Sequence, residues 1–257
     1  MKSRSERAIE TLNTYLINSL DKRRRSFFVP KPASGRRLAI TDIHGCFHTF
    51  VKLLNKIDLK KRDQLFILGD LIDRGPYSYL VLDKVWQLID RGYQIFPLRG
   101  NHEQLFLNFN RENASKLHTF ATRQYAAHLI DSDGALNSDV DKFFGNLPFY
   151  YETDIAFLVH AGFDTRLKNP FEGWKDMIWV REFRYQEKKL KNKMIIHGHV
   201  PKELSVITGN IQNGSKNINL DNGCIRAGAP GYGKLVCFNL DTNEIIAQKN
   251  VDLLSVS

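Results

Sequence analysis

Four apolar residues, Leu65-Phe66-Ile67-Leu68, break abruptly into Gly69-Asp70, and three residues later comes Asp73-Arg74-Gly75. A short continuous apolar run bounded by turn residues reads as a buried strand. Asp70 then stands at the strand's C-terminal end, where open α/β sheets place their ligands. Pro76 follows at a position suited to opening a helix. One tight loop thus presents two carboxylates and a guanidinium, which suit metal ions and phosphate oxygens respectively. Taken alone, Asp and Gly after a strand are also ordinary turn residues.

The same grammar recurs along the chain. Leu38-Ala39-Ile40 leads into Thr41-Asp42-Ile43-His44-Gly45, and residues 93–98 lead into Arg99-Gly100-Asn101-His102-Glu103. Residues 156–159 lead into His160-Ala161-Gly162, and residues 194–196 into His197-Gly198-His199. Five strand ends therefore deliver Asp, His and Asn, a ligand set for two metal ions rather than one.

Residues 46–57 and 76–91 read as helices between the first three strands, the second with Leu80, Val81, Val85, Leu88 and Ile89 on one face. Strands alternating with helices at this spacing imply parallel βαβ units. A further helix is expected from residue 103. Residues 110–148 are more polar and read as an insertion of short helices overhanging the site, where substrate choice is often carried. Its His118 and His128 read as surface or packing residues. Residues 149–160 read as a strand pair, residues 174–184 as mixed. Residues 204–208, 217–221, 234–239 and 244–248 read as short strands in antiparallel hairpins.

The chain's 257 residues suit one large globular domain with an appendage. Its net charge of +9 is uneven: residues 1–37 hold ten Lys/Arg against three Asp/Glu, a net of +7, leaving +2 for the other 220. The division expected is a basic helix and linker over 1–36, with Ile9, Leu12, Leu16 and Leu20 at helical spacing and Lys22-Arg23-Arg24-Arg25 after them, and a catalytic domain over 37–257. A nearly neutral catalytic body argues against nucleic acid as partner. No apolar run approaches the roughly 20 residues of a membrane span, and the first ten residues hold no apolar signal core. Three cysteines, Cys46, Cys224 and Cys237, form no CxxC and no even set. A cytoplasmic location is expected.

The ordered motifs DIHG (42–45), GDLIDRG (69–75), LRGNHE (98–103), HAG (160–162) and HGHVP (197–201) resemble those of the metallophosphoesterases. Within them the chain looks most like the phosphoprotein (serine/threonine) phosphatase family, of the compact bacterial and lambda-phage type, to which GNHEQ (100–104) and WVRE (179–182) point. The resemblance covers about residues 37–249. It implies an α/β fold with two mixed β-sheets in a sandwich flanked by helices, the calcineurin-like fold. It also implies two divalent ions, with manganese, iron or zinc all suitable. By motif, Asp42 and His44 would bind the first ion, Asp70 would bridge, and Asn101, His160 and His199 would bind the second, with His197 in a supporting place on the preceding strand. Thr41 stands where the family usually has glycine.

The resemblance further implies direct attack on phosphorus by a hydroxide shared between the ions. Arg74, Arg99 and Arg181 match the positions that hold phosphoryl oxygens, while His102, oriented by Asp73, would protonate the leaving oxygen. Glu103 reads as structural, and Asp221-Asn222-Gly223 matches a late family loop without an evident role. The implied substrate is a phosphate monoester, with phosphoserine or phosphothreonine of proteins first and small phosphoesters included. A diadenosine tetraphosphate-type hydrolase is the alternative, set second because DRG and GNHE are spelled in the phosphatase manner. Oligomeric state has no signature in the sequence.

Overall fold

The computed structural model describes residues 2–15 and 26–253. The chain forms α1 (Arg4–Tyr15), β1 (Ser26–Phe28), β2 (Arg37–Ile40), α2 (Phe47–Lys56), β3 (Gln64–Ile67), α3 (Ser78–Asp90), β4 (Gln94–Pro97) and α4 (Asn101–Glu112). There follow α5 (Ala114–Arg123), α6 (Ser138–Asn146), β5 (Tyr150–Glu152), β6 (Ala156–Val159), α7 (Trp174–Trp179), β7 (Met194–His197), α8 (Leu204–Gln212), β8 (Asn217–Asn219), β9 (Lys234–Asn239) and β10 (Ile245–Lys249).

Among the described residues, ten strands make two mixed five-stranded sheets, ordered β10-β9-β2-β3-β4 and β1-β5-β6-β7-β8. In the first, β2, β3 and β4 run parallel with Ile40 beside Ile67 and Ile67 beside Pro97, so three strands end level. In the second, β6, β7 and β8 are parallel. Strands buried on both faces need apolar residues throughout, and Leu65, Phe66 and Ile67 are fully buried. The sheets pack face to face through Phe66 and Phe96 of one against Tyr151 of the other, with ring centroids 5.8 and 5.7 Å apart. The phenol of Tyr151 donates to the carbonyl of Pro97 at 3.1 Å, so its buried hydroxyl is satisfied across the sandwich.

Four local expectations change. Residues 217–219, expected in an antiparallel hairpin, form β8 parallel to β7. Residues 204–208 form the first part of α8, not a strand. The β-branched run Val206-Ile207-Thr208 misleads, but β7 and β8 are parallel neighbours, and a parallel pair needs a crossover, here a helix. Ile207 is buried, Val206 is exposed, and Thr208 Oγ1 donates back to the carbonyl of Leu204 at 2.9 Å. Leu80 leaves the apolar face of α3 and is 41% exposed. The proline-containing linker supplies β1, which pairs in parallel with β5.

α1 lies on α3 and α6 with Ala8 buried, and ion pairs join Arg4 to Asp83, Arg7 to Asp90 and Lys142 to Glu6. Leu16, Leu20 and the Lys22–Arg25 run fall outside the described residues. The expected insertion is helical: α4 runs on through Glu112, and α5 and α6 bury Leu117, Ala121, Phe143 and Phe144 against the body. No helix among the described residues is long and apolar enough to cross a membrane.

Candidate metal centre

Every candidate metal ligand arrives at the C-terminal end of a strand, whereas Arg181 follows α7. β2 delivers Asp42 and His44, β3 Asp70 and Asp73, and β4, through the Gly100 cap of α4, Asn101 and His102. From the facing sheet β6 delivers His160, β7 His199 and β8 Asp221. The turns needed to aim these side chains are unusually tight. Asp42, His44, Asp70, Asp73, Arg74 and His199 all have positive φ, between 48° and 77°, a region that residues with a Cβ seldom occupy. Two glycines are required by contact: a Cβ on Gly198 would lie 2.1 Å from Asp42 Oδ2, and one on Gly100 would lie 2.2 Å from Asp70 Oδ1.

Hydrogen bonds fix which atoms face inward. His160 Nδ1 donates to the carbonyl of Leu68 at 2.8 Å and His44 Nδ1 to that of Ile72 at 3.0 Å, leaving each Nε2 as a bare lone pair. His160 Nε2 lies 2.9 Å from Asn101 Oδ1 and 3.2 Å from His199 Nδ1, and Asn101 Oδ1 lies 3.0 Å from His199 Nδ1. Asp70 Oδ2 is 3.5 Å from His160 Nε2 and 3.5 Å from His44 Nε2. Asp42 Oδ1 stands 3.9 Å from His44 Nε2, while its Oδ2 accepts from the Thr41 hydroxyl and from His199 N at 3.1 Å.

Acceptors facing one another at about 3 Å repel unless a cation sits between them. Ligands about 2.1 Å from an octahedral ion lie about 3 Å from one another, which is this spacing. The residues thus fit divalent metal ions. Two groupings share Asp70: Asp70 with His160 and His199, and Asp70 with His44 and His102. His197 lies outside both. Its Nδ1 meets the carbonyl of Gly198 at 3.2 Å, and its ring packs on Phe183.

Electrostatics carry the same message. Burial pushes Asp70 well above the ordinary carboxylate range, and Asp42 and Glu103 push it further. Burial and then Asp42 do the same to Asp221. Burial holds His44, His160 and His199 below the usual imidazole value, the last at about 3, so all three are neutral ligand-type imidazoles. Glu103 accepts from the backbone N–H groups of Asp70, Leu71 and Gly100 at 2.8–3.0 Å, which staples the β3 loop to the start of α4.

His102 and Asp73 form a buried pair, Nδ1 to Oδ2 at 2.5 Å, with His102 Nε2 3.8 Å from Asp70 Oδ2. Burial lifts Asp73 to about 7 and lowers His102 to about 3. Arg74 is exposed at the rim, and its charge reaches Asp73, His102 and Asp70. Arg181 is exposed beside His199. Arg99 is buried and differently engaged, donating to Gln104 Oε1 at 2.9 Å and the Gly145 carbonyl at 2.8 Å while lying over Phe149.

The sequence matches the calcineurin-like phosphoesterase family over residues 35–238. The chain belongs to that family. It is 26% identical over 223 residues to the asymmetrical bis(5'-nucleosyl)-tetraphosphatase of Anoxybacillus flavithermus, covering 74% of this chain and 86% of that one. It is 43% identical over 81 residues to the symmetrical bis(5'-nucleosyl)-tetraphosphatase of Chromobacterium violaceum, 31% of this chain and 28% of that one. In fold it is similar to a serine/threonine phosphatase of Saccharomyces cerevisiae, with a TM-score of 0.67 at 15% identity over 96% of this chain and 88% of that one. This phosphoesterase thus shares its architecture with that protein phosphatase, and its relatives from Anoxybacillus flavithermus and Chromobacterium violaceum are tetraphosphatases. Sequence reasoning used Trp179 only as part of WVRE and assigned it no place at the site, where its exposed ring stands edge-on to His199 with centroids 6.5 Å apart. The only signal for it was its place beside Arg181.

Proposed function

We propose that this phosphoesterase hydrolyses the phosphoanhydride chain of dinucleoside polyphosphates, of the diadenosine tetraphosphate type, at a centre of two divalent ions. The observation that carries the reading is the pairing of the Asp70-centred donor cluster with tetraphosphatase relatives along most of the chain. This reverses the order of preference drawn from the spelling of DRG and GNHE, which put protein phosphomonoesters first.

In this reading Asp42 and His44 would hold one ion, Asn101, His160 and His199 would hold the other, and Asp70, shared by both groupings, would serve each. The ions, when bound, supply Lewis acidity and an ionised water near neutral pH. Arg74 and Arg181, both exposed and both with charge reaching His199, hold the non-bridging phosphoryl oxygens, where guanidinium forks match the geometry. Arg99 keeps the β4 loop in place through Gln104 and Gly145. The His102–Asp73 pair holds a proton beside the leaving oxygen. His102 Nε2 delivers it, while Asp73 accepts from Nδ1 and keeps the ring oriented.

A substrate panel tests the reading: diadenosine tetraphosphate, a phosphoserine peptide and p-nitrophenyl phosphate with the manganese-loaded enzyme. Diadenosine tetraphosphate should show the highest kcat/KM. A phosphopeptide preferred by about tenfold or more would return the assignment to protein phosphatase.

A further inference from the structure

The two residues that follow the DRG loop open a cavity that the chemistry above does not use. Pro76, Tyr77, Tyr79, Leu80, His128 and Asn137 line about 460 Å³ between the start of α3 and the helical insertion. That volume falls within the range of about 300–1,000 Å³ typical of small-molecule sites. Tyr79 and Leu80 are 39% and 41% exposed within it, large apolar groups kept in solvent beside a catalytic rim. Tyr77 is steadied by the ring of His48 at 5.1 Å, and Tyr79 by Trp86 at 6.1 Å.

The insertion closes the far wall. His128 Nε2 accepts from the backbone N–H of Tyr79 at 3.0 Å, which places the ring proton on Nδ1. The cavity thus combines a ring donor, two phenols, an amide and aromatic surface. Its lining holds no Asp, Glu, Lys or Arg, so nothing in it complements a charged side chain of a peptide. Two residues before Pro76 stands Arg74, whose backbone N–H donates to the Gln124 carbonyl of the insertion at 3.1 Å, while on the far wall Asn137 Nδ2 donates to Asp131 Oδ1 at 3.0 Å. A ligand that is flat and uncharged at one end and polyanionic at the other matches this order of groups.

We propose that this cavity takes a purine nucleobase of the substrate, stacked on Tyr79 and accepting a hydrogen bond from His128 Nδ1, while the phosphate chain runs past Arg74 to the metal cluster. The proposal names a base subsite for the reading of a nucleotide substrate and rests on that reading. It also makes the insertion a specificity element, since His128 comes from it.

Two measurements on the manganese-loaded enzyme test it. In the first, the ratio of kcat/KM for diadenosine tetraphosphate to that for inorganic tripolyphosphate is compared in wild type, Tyr79→Ala and Tyr79→Phe. Loss of one base–aromatic stack should lower the ratio about ten- to hundredfold in Tyr79→Ala, with recovery in Tyr79→Phe. An unchanged ratio overturns the subsite. In the second, AMP binding is followed by saturation-transfer NMR on the adenine protons. Binding should weaken by a similar factor in Tyr79→Ala. Equal binding to both proteins, or none to wild type, overturns the proposal whatever substrate is turned over. AMP binding that depends on Tyr79, in an enzyme that leaves diadenosine tetraphosphate intact, would support the subsite and retire the tetraphosphatase reading alone.

Discussion

The two ends of the strands treat buried charge in opposite ways. At the N-terminal ends, Arg37 is buried between Asp241, at 2.6 Å, and Asp154, and Arg36 reaches Asp63 at 2.6 Å while its backbone N–H donates to the same carboxylate. Each carboxylate there meets a guanidinium. At the C-terminal ends, Asp42, Asp70 and Asp221 lie buried near one another with imidazole lone pairs turned toward them. One end is arranged for stability of the chain itself. The other is electrostatically incomplete without cations, with six residues held at positive φ to keep it so.

Breaking the metal end at its centre should give the largest effect. Asp70→Asn should remove most activity and most bound metal together, since both groupings share that carboxylate. In the metal-free protein the same change removes a crowded buried charge and should raise the melting temperature by a few degrees, about 1 kcal/mol at this chain length. Metal analysis alongside calorimetry of stripped and loaded protein checks both. Two bound ions with normal turnover would refute the bridging role.

His102→Asn sharpens the division within the metal end. General acid catalysis is worth about 10²- to 10⁴-fold. The loss in kcat/KM should be of that order on a phosphoserine peptide, whose alkoxide needs a proton. It should be distinctly smaller on p-nitrophenyl phosphate, whose phenolate leaves with little help. Asp73→Asn should show the same ordering more mildly. Equal losses at full metal occupancy would leave His102 as an electrostatic or packing residue.

At the opposite end, Arg37→Ala should leave metal content intact and cost about 2–3 kcal/mol, or roughly 5–10 °C. Asp241 and Asp154 are partly exposed and can rehydrate, which limits the loss. The smallest effect is on acid stability. Burial would raise Asp63, but hydrogen bonds from Arg36 and the backbone outweigh it and hold the carboxyl below its usual 3.8. Its contribution is present above that value and lost as pH falls through the depressed one. Asp63→Asn should therefore weaken the protein at pH 7 and make little difference near pH 2, as read by denaturant midpoints at the two pH values.

The same contrast governs what could be read from sequence. The candidate metal end was legible because each candidate ligand interrupts an apolar run at a strand end, a local pattern that Leu65 to Asp70 shows in six residues. The choice of His199 over His197 came from the family resemblance, and in the structure His199 Nδ1 lies 3.2 Å from His160 Nε2 and 3.0 Å from Asn101 Oδ1. The stabilising end was not legible, because Arg37 meets Asp241 across 204 residues and nothing near either announces the other. β1 escaped notice because three residues, Ser26 to Phe28, carry no period. α8 was misread because β-branched residues fit either state until β8 is known to lie parallel to β7. Leu80 fitted the helical period of α3, and only the position of the insertion shows that this turn of the helix stays in solvent beside the cavity.

The central claim is that the acceptor cluster around Asp70 holds two divalent ions. Manganese soaked into crystals of the protein and located by anomalous scattering tests it most directly. The account predicts two peaks a few ångströms apart with Asp70 touching both, His44 on one and His160 with His199 on the other. A single peak, or His197 coordinating with His199 turned away, would contradict it.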